Sequence, residues 1–266
     1  MNTRRIRALL RKEWLDLIRN PGALAPVLIV SLVALVLPFV VAVGIPAWSG
    51  EALSDDPDLA RVSVQIGAPL SLRPDAQVQY FLLQQFLLLF LLTPITGAMA
   101  LAAHSIVGEK QARTLEPLLA TPLTTGELLV AKVFGAMWPS LAVSLFSIAM
   151  YFAGIVWLAQ PGVAAAMANG RTALLVLVIA PAAALVGLQA ALIVSSRVND
   201  PRTAQQVGVL LIVPVTVVLV AQFTGALWLS GLWLLMTGAG LVVLWVVLLG
   251  VSVWLFRREA ILTRWR

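Results

Sequence analysis

The stretch Tyr80–Ala103, YFLLQQFLLLFLLTPITGAMALAA, runs for 24 residues without a charge. A helix needs about 20 predominantly apolar residues to cross the hydrocarbon of a bilayer, and apart from a closed barrel it alone satisfies every backbone N–H and C=O there. The stretch therefore predicts a membrane-spanning helix. Its polar residues are amides and hydroxyls, Gln84, Gln85, Thr93 and Thr96, which a span tolerates far better than ionised groups.

Five further segments reach the same length and character, at 23–46, 133–157, 172–195, 206–228 and 232–256, and none shows the alternation of a barrel strand. The 266 residues are 61% hydrophobic and 11% charged; an ordinary soluble domain has roughly 45–50% and 25%. The reading is an all-α integral membrane protein with one six-helix domain at 23–256. Its basic flanks lie at 1–22 and 257–266, with an outer loop at 47–79 and a connecting loop at 104–129. The basic opening followed by an apolar run resembles a signal peptide, but 23–46 exceeds the roughly 7–15 residues of a signal core, which predicts an uncleaved first span. Pro38, Pro94, Pro139, Pro181 and Pro214 fall in or near the spans as candidate kinks.

The net charge of +6 comes from Lys and Arg clustered beside apolar runs, where lipid headgroups and not nucleic acid are the expected partners. The chain has no Cys and one His, which excludes a disulfide, a thiol nucleophile and a usual zinc ligand set from within it. Counted between the spans, 15 Lys and Arg fall on the side of the N-terminus and 3 on the other. The positive-inside rule then predicts a cytoplasmic (inner) membrane protein with both termini cytoplasmic. The segment 47–79 carries Glu51, Asp55, Asp56, Asp58 and Asp75 against Arg61 and Arg73, and reads as a solvated outer spacer.

Before the first span, Ile6, Leu9, Leu10, Glu13, Trp14, Leu17 and Ile18 follow helical spacing, so an apolar stripe is interrupted only by Glu13. Arg4, Arg5, Arg7, Arg11, Lys12 and Arg19 take the remaining surface. This pattern predicts an interfacial helix with Trp14 at headgroup depth, ended by Asn20, Pro21 and Gly22. It serves either as an anchor or as an elbow that a cytoplasmic partner pushes.

The connection after the second span places Glu109, Lys110 and Arg113 for pairing on one turn and Leu115, Leu118 and Leu119 as an apolar patch at helical spacing. The patch either docks on a partner protein or rests on the bilayer surface. Thr121 and Pro122 then break the chain, and Thr124 with Glu127 forms a capping box that opens the third span. Asn199, Asp200 and Pro201 read as the cap of the fifth span.

The run 109–124, EKQARTLEPLLATPLT, resembles the signature of type-2 ABC transporter permeases, in particular the NatB-like sodium-efflux and drug-export subfamily. The opening RKEWLDLIRNP (11–21), the loop SSRVNDPRTAQQ (195–206) and the tail LFRREAILTRW (255–265) are similar to the same family. Arg113 and Gln111 depart from it, where many members have Gly and an acid. The resemblance implies a permease subunit of an exporter, working as a dimer with a second permease copy or homologue and driven by two separate ABC ATPase subunits. ATP and Mg would belong to those partners, and the chain would itself be no enzyme and carry no cofactor. It also implies an elbow helix containing Arg11, Trp14 and Leu17, and a coupling helix carrying Glu109, Arg113, Thr114, Leu115, Glu116, Leu118 and Leu119. The second and fifth spans of the family line the dimer interface, which places Gln85, Thr96, Thr216 and Gln222 near the substrate route; interhelical hydrogen bonding accounts for them equally well.

The sequence agrees in what it omits. No G-x-x-x-x-G-K-[ST] phosphate loop occurs. No carboxylate or His sits at mid-span, which argues against ion-coupled secondary transport and against an intramembrane hydrolase. His104 and Lys132 are expected to snorkel at span ends. Gln85 and Thr96, eleven residues apart, fall within about 20° on one face of an unbroken helix. A non-transporting scaffold that passes force across the bilayer is the remaining alternative; a purified complex that hydrolyses ATP but accumulates nothing in vesicles would favour it.

Overall fold

The computed structural model describes residues 3–19, 21–65, 67–111, 124–197, 217 and 231–255. Among these, regular structure is helical only. Five helices are long and apolar enough to cross a membrane: Gly22–Ser49, Pro74–Glu109, Gly126–Leu158, Gly170–Ser195 and Gly231–Trp254. They are called here the first, second, third, fourth and C-terminal apolar helices. An amphipathic helix, Thr3–Arg19, precedes them. The expected fifth span at 206–228, its Asn199–Pro201 cap, the patch at 115–119 and the tail at 257–266 lie outside the described residues.

Among the described residues the second helix is central, with the first, third and fourth packed on it, while the C-terminal helix packs mainly on the fourth. The fourth packs on it through small residues: a Cβ on Gly187 would lie 3.1 Å from Ile95 and 3.2 Å from Met99. Ala183, Ala184, Ala191, Ala98 and Ala102 continue that seam, because close backbone approach is what lets apolar helices attract one another in lipid. The first and C-terminal helices instead turn Leu28, Ile29, Leu32, Val243 and Val247 outward, a surface suited to acyl chains. The C-terminal helix runs parallel to the fourth, since Gly238 lies against Val178 while Ser252 accepts a hydrogen bond from Gln189.

Two interruptions in these helices have local causes. The first helix widens into a π turn at Val40–Gly44. Pro46 has no N–H to give the carbonyl of Ala42, four residues back. Gln79 supplies the missing donor: its Nε2 bonds the Ala42 carbonyl at 3.0 Å, while its Oε1 accepts from the backbone N–H of Gln160 at 2.6 Å, just past the third helix. The second helix breaks at Leu87 and Leu88, where i→i+3 bonds replace the α pattern on the N-terminal side of Pro94. Tyr151 of the third helix donates its hydroxyl to the Leu83 carbonyl there at 2.8 Å. Its ring is buried between Phe39 at 5.4 Å and Phe90 at 4.8 Å. The break also corrects the phase argument for Gln85 and Thr96. They sit on opposite sides of it, so 100° per residue does not carry from one to the other.

The expected outer segment at 47–79 is largely exposed, as its acidity suggests, and carries short ordered elements. Asp56 accepts from the N–H groups of Asp58 and Leu59 to cap a helix over Pro57–Gln65. Ser54 donates its backbone N–H and hydroxyl to Asp75 at 2.9 and 2.7 Å. The second helix begins at Pro74, earlier than Tyr80, because proline is preorganised for a first helical turn. Acidity marked this segment as water-facing, and Asp56 is both exposed and a capping group.

Candidate functional site

The Thr124 capping box forms as read. Its hydroxyl accepts from the Glu127 N–H at 3.2 Å and Glu127 Oε2 accepts from the Thr124 N–H at 3.1 Å, opening a helix over Thr125–Leu158. This fixes the start of the third helix beside the end of the second. The amphipathic helix lies along the same region with Leu9 buried and Leu17 half-buried, while Arg11, Trp14 and Ile18 stay exposed.

Glu13 interrupts the apolar stripe for a reason that appears only in three dimensions. It points inward at Lys132 of the third helix, whose Nζ lies 3.2 Å from Glu13 Oε1 and 3.0 Å from Glu109 Oε2. Lys132 also donates to the Ser105 hydroxyl at 2.7 Å and to the Ser105 carbonyl at 3.2 Å, and Ser105 donates its hydroxyl to Glu13 at 2.8 Å. Lys12 closes the set by pairing with Glu109 and with Asp16 at 3.3 Å. Three helices thus meet in one ion-pair network at the membrane end of the connecting loop.

Lys132 is only 2% exposed, which corrects the expectation that it snorkels. Its apolar neighbours in the chain suggested lipid, but its ammonium is aimed at two carboxylates supplied by other helices. Glu109 likewise reaches across to Lys12 and Lys132, where pairing along its own turn was expected. Gly135 favours the arrangement: a Cβ there would stand 3.0 Å from Glu13 Cβ, so any other residue would press the amphipathic helix outward.

Burial alone would raise the Glu13 pKa, yet the charges of Lys132 and Lys12, with the hydrogen bonds from Ser105 and Lys132, hold it below the usual value. Burial would lower Lys12, but its bond to Glu109 and the charges of Glu109, Glu13 and Asp16 hold it above its usual value. A depressed carboxylate contributes stability above its unfolded pKa and loses it as pH falls through the folded one. A raised lysine contributes below its unfolded pKa and loses it as pH rises through the folded one. Docking of the amphipathic helix should therefore be constant between the ordinary carboxylate and lysine ranges and weaken on both sides. The chain has no cysteine, so a fluorophore on a cysteine introduced at exposed Ala8 reads this as anisotropy. Anisotropy that stays level in acid would remove Glu13 from the docking contact.

Of the residues proposed for a substrate route, Gln85 is buried, and Thr96 donates its hydroxyl back to the Leu92 carbonyl at 2.8 Å within its own helix. Thr216 and Gln222 lie outside the described residues, as do Arg113, Thr114, Leu115, Glu116, Leu118 and Leu119. Lys12, Glu13, Glu109 and Lys132 stand out in the sequence, but nothing in it joins them to one another or to Ser105. A Glu on an apolar stripe and a Lys inside an apolar run were the available signals.

Residues 7–230 match the family described as ABC-2 family transporter protein. The chain belongs to that family. Neither a curated protein nor a solved structure matches it. As an ABC-2 transporter protein with apolar helices of spanning length, it is a multi-pass membrane component of an ABC transporter, a family that works with ABC ATPase subunits. The matched region includes every residue of the ion-pair network.

Proposed function

We propose that this ABC-2 protein is the pathway-forming subunit of a NatB-like exporter in the cytoplasmic membrane. It pairs with a second permease copy and is driven by two separate ATPase subunits that hold ATP and Mg. The observation that carries this reading is that both ends of the segment 112–123 are ion-paired to one helix. Glu109, at its entrance, meets Lys12, and Glu127, at its exit, meets Arg5 at 3.9 Å. A segment that takes a push from a partner needs rigid roots, and the amphipathic helix braces both. On this reading Arg113, Thr114, Leu115, Glu116, Leu118 and Leu119 form the coupling helix, and Arg11, Trp14 and Leu17 belong to the elbow.

The parallel run of the fourth and C-terminal helices supports six spans. Two parallel neighbours in one chain require a return crossing between them, and 206–228 is apolar enough to supply it. An even number of crossings puts both termini on one side, in keeping with the charge bias. Gln85, Thr96, Thr216 and Gln222 remain our candidates for the route at the dimer interface.

The test is the variant L115A/L118A/L119A, which removes the apolar patch and leaves the spans unaltered. It should lose its ATPase on co-purification, or keep it while losing ATP-driven transport. Wild-type yield of the complex together with wild-type transport would sink the assignment.

A further inference from the structure

Beside the ion-pair network lies a recess of ≈ 400 Å³, open on one side, between the amphipathic helix and the ends of the second and third helices. It is of ligand size. It is lined by the paired Lys12, Glu13 and Glu109, by the apolar Leu17, Ala23 and Leu101, and by Asp16, Arg19 and His104. We propose that this recess binds one zwitterionic phospholipid bearing a primary ammonium, a phosphatidylethanolamine. The inference rests on the interfacial placement of the amphipathic helix given above, which sets the recess at headgroup depth.

Charge selects the ligand class. Lys12, Arg19 and the adjoining Lys132 are matched by Glu13, Asp16 and Glu109, so three formal charges of each sign cancel. A neutral recess gives an anionic lipid no net attraction, unlike the arginine-rich outer face of the same helix. The two poles are nevertheless separated. Glu13 and Glu109 are held by the lysines, whereas Asp16 shares Lys12 with both of them and keeps acceptor capacity. Among the described residues Arg19 has no ion-pair partner, and its guanidinium is suited to fork onto a phosphate. A primary ammonium can donate to Asp16, whereas the quaternary ammonium of a choline lipid has no N–H to give. Acyl chains would leave over Leu17, Ala23 and Leu101.

The full chain, purified with its ATPase partner and stripped of lipid, would be titrated with phosphatidylethanolamine, phosphatidylcholine, phosphatidylglycerol and water-soluble glycerophosphoethanolamine, with adducts counted by native mass spectrometry. One phosphatidylethanolamine should bind, with half-saturation at a concentration about tenfold lower than for the other two lipids, as expected for one charge-assisted hydrogen bond. D16N should remove the preference over phosphatidylcholine, whereas R19Q should weaken all three lipids by taking away the cation that meets their common phosphate, and R19K should restore their binding. Equal or tighter phosphatidylglycerol binding, competition by the soluble headgroup at equal concentration, an unchanged preference in D16N, or undiminished lipid binding in R19Q would overturn the proposal. Co-purified ATPase is read in the same spectra, so loss of the lipid adduct is distinguished from failure of the exporter assignment.

Discussion

Replacing Lys132 by methionine should destabilise the bundle by about 3–5 kcal/mol, the cost of stripping a buried ion pair of one partner. The side chain keeps its length and apolar stem, so little packing is lost. What changes is that Glu13 and Glu109 lose the ammonium that lies 3.2 and 3.0 Å from them and share only the half-exposed Lys12. Removing the carboxylates as well, in E13Q/E109Q/K132M, should recover most of the thermal midpoint, because buried ion pairs contribute little net stability once their desolvation is counted. The two variants separate stability from coupling. The triple variant should fold yet transmit less, since the amphipathic helix would no longer be held by charge to the entrance of 112–123. Thermal unfolding in detergent and ATP-driven transport are the two measurements. A K132M midpoint within about 0.5 kcal/mol of wild type, the spread of neutral surface changes, would show that the network is not what fixes the three helices.

The second large effect is expected at Gly154→Ala. A Cβ there would lie 2.5 Å from Phe39 Cζ and 2.9 Å from Cε2, closer than carbon atoms approach. The Phe39 ring has little room to retreat, because Tyr151 packs against it at 5.4 Å and is itself held by its bond to Leu83. Overpacking of this kind costs about 1–3 kcal/mol. The first helix would be pushed away from the third, and the break at Leu87 and Leu88, where Tyr151 is anchored, would feel the shift. Shortening the opposing ring in F39L/G154A should return part of the loss. If G154A melts with the wild-type protein, or if F39L adds to the damage, the close approach of these helices is not a determinant of the fold.

Much of the fold was legible in the sequence, and the reasons are local. Tyr80–Ala103 has no charge and enough residues to span, and composition with backbone hydrogen bonding then leaves helix as the answer. The Thr124 and Glu127 box was equally legible, because it acts within one turn. The water-facing character of 47–79 was legible in its carboxylates, four of which are exposed, but its local fold was not. The partners of these carboxylates, the N–H groups of Asp58 and Leu59 for Asp56 and the N–H and hydroxyl of Ser54 for Asp75, depend on how the backbone folds back. The break in the second helix was invisible for a similar reason. Pro94 flagged a kink, but Tyr151, 68 residues away from the carbonyl it bonds, marks where the helix gives way.

The amino-acid order alone determined that the chain lives in lipid, that it is helical, where most helices start, and that one amphipathic helix precedes them, because these follow from periodicity, length and the cost of unpaired backbone groups. The partners of Glu13, Glu109 and Lys132 were decided only by the tertiary structure. A charge at a single position is compatible with water, headgroup or an opposite charge. The choice between them is an energy of desolvation and pairing that exists only once Gly135 has let the amphipathic helix come close enough.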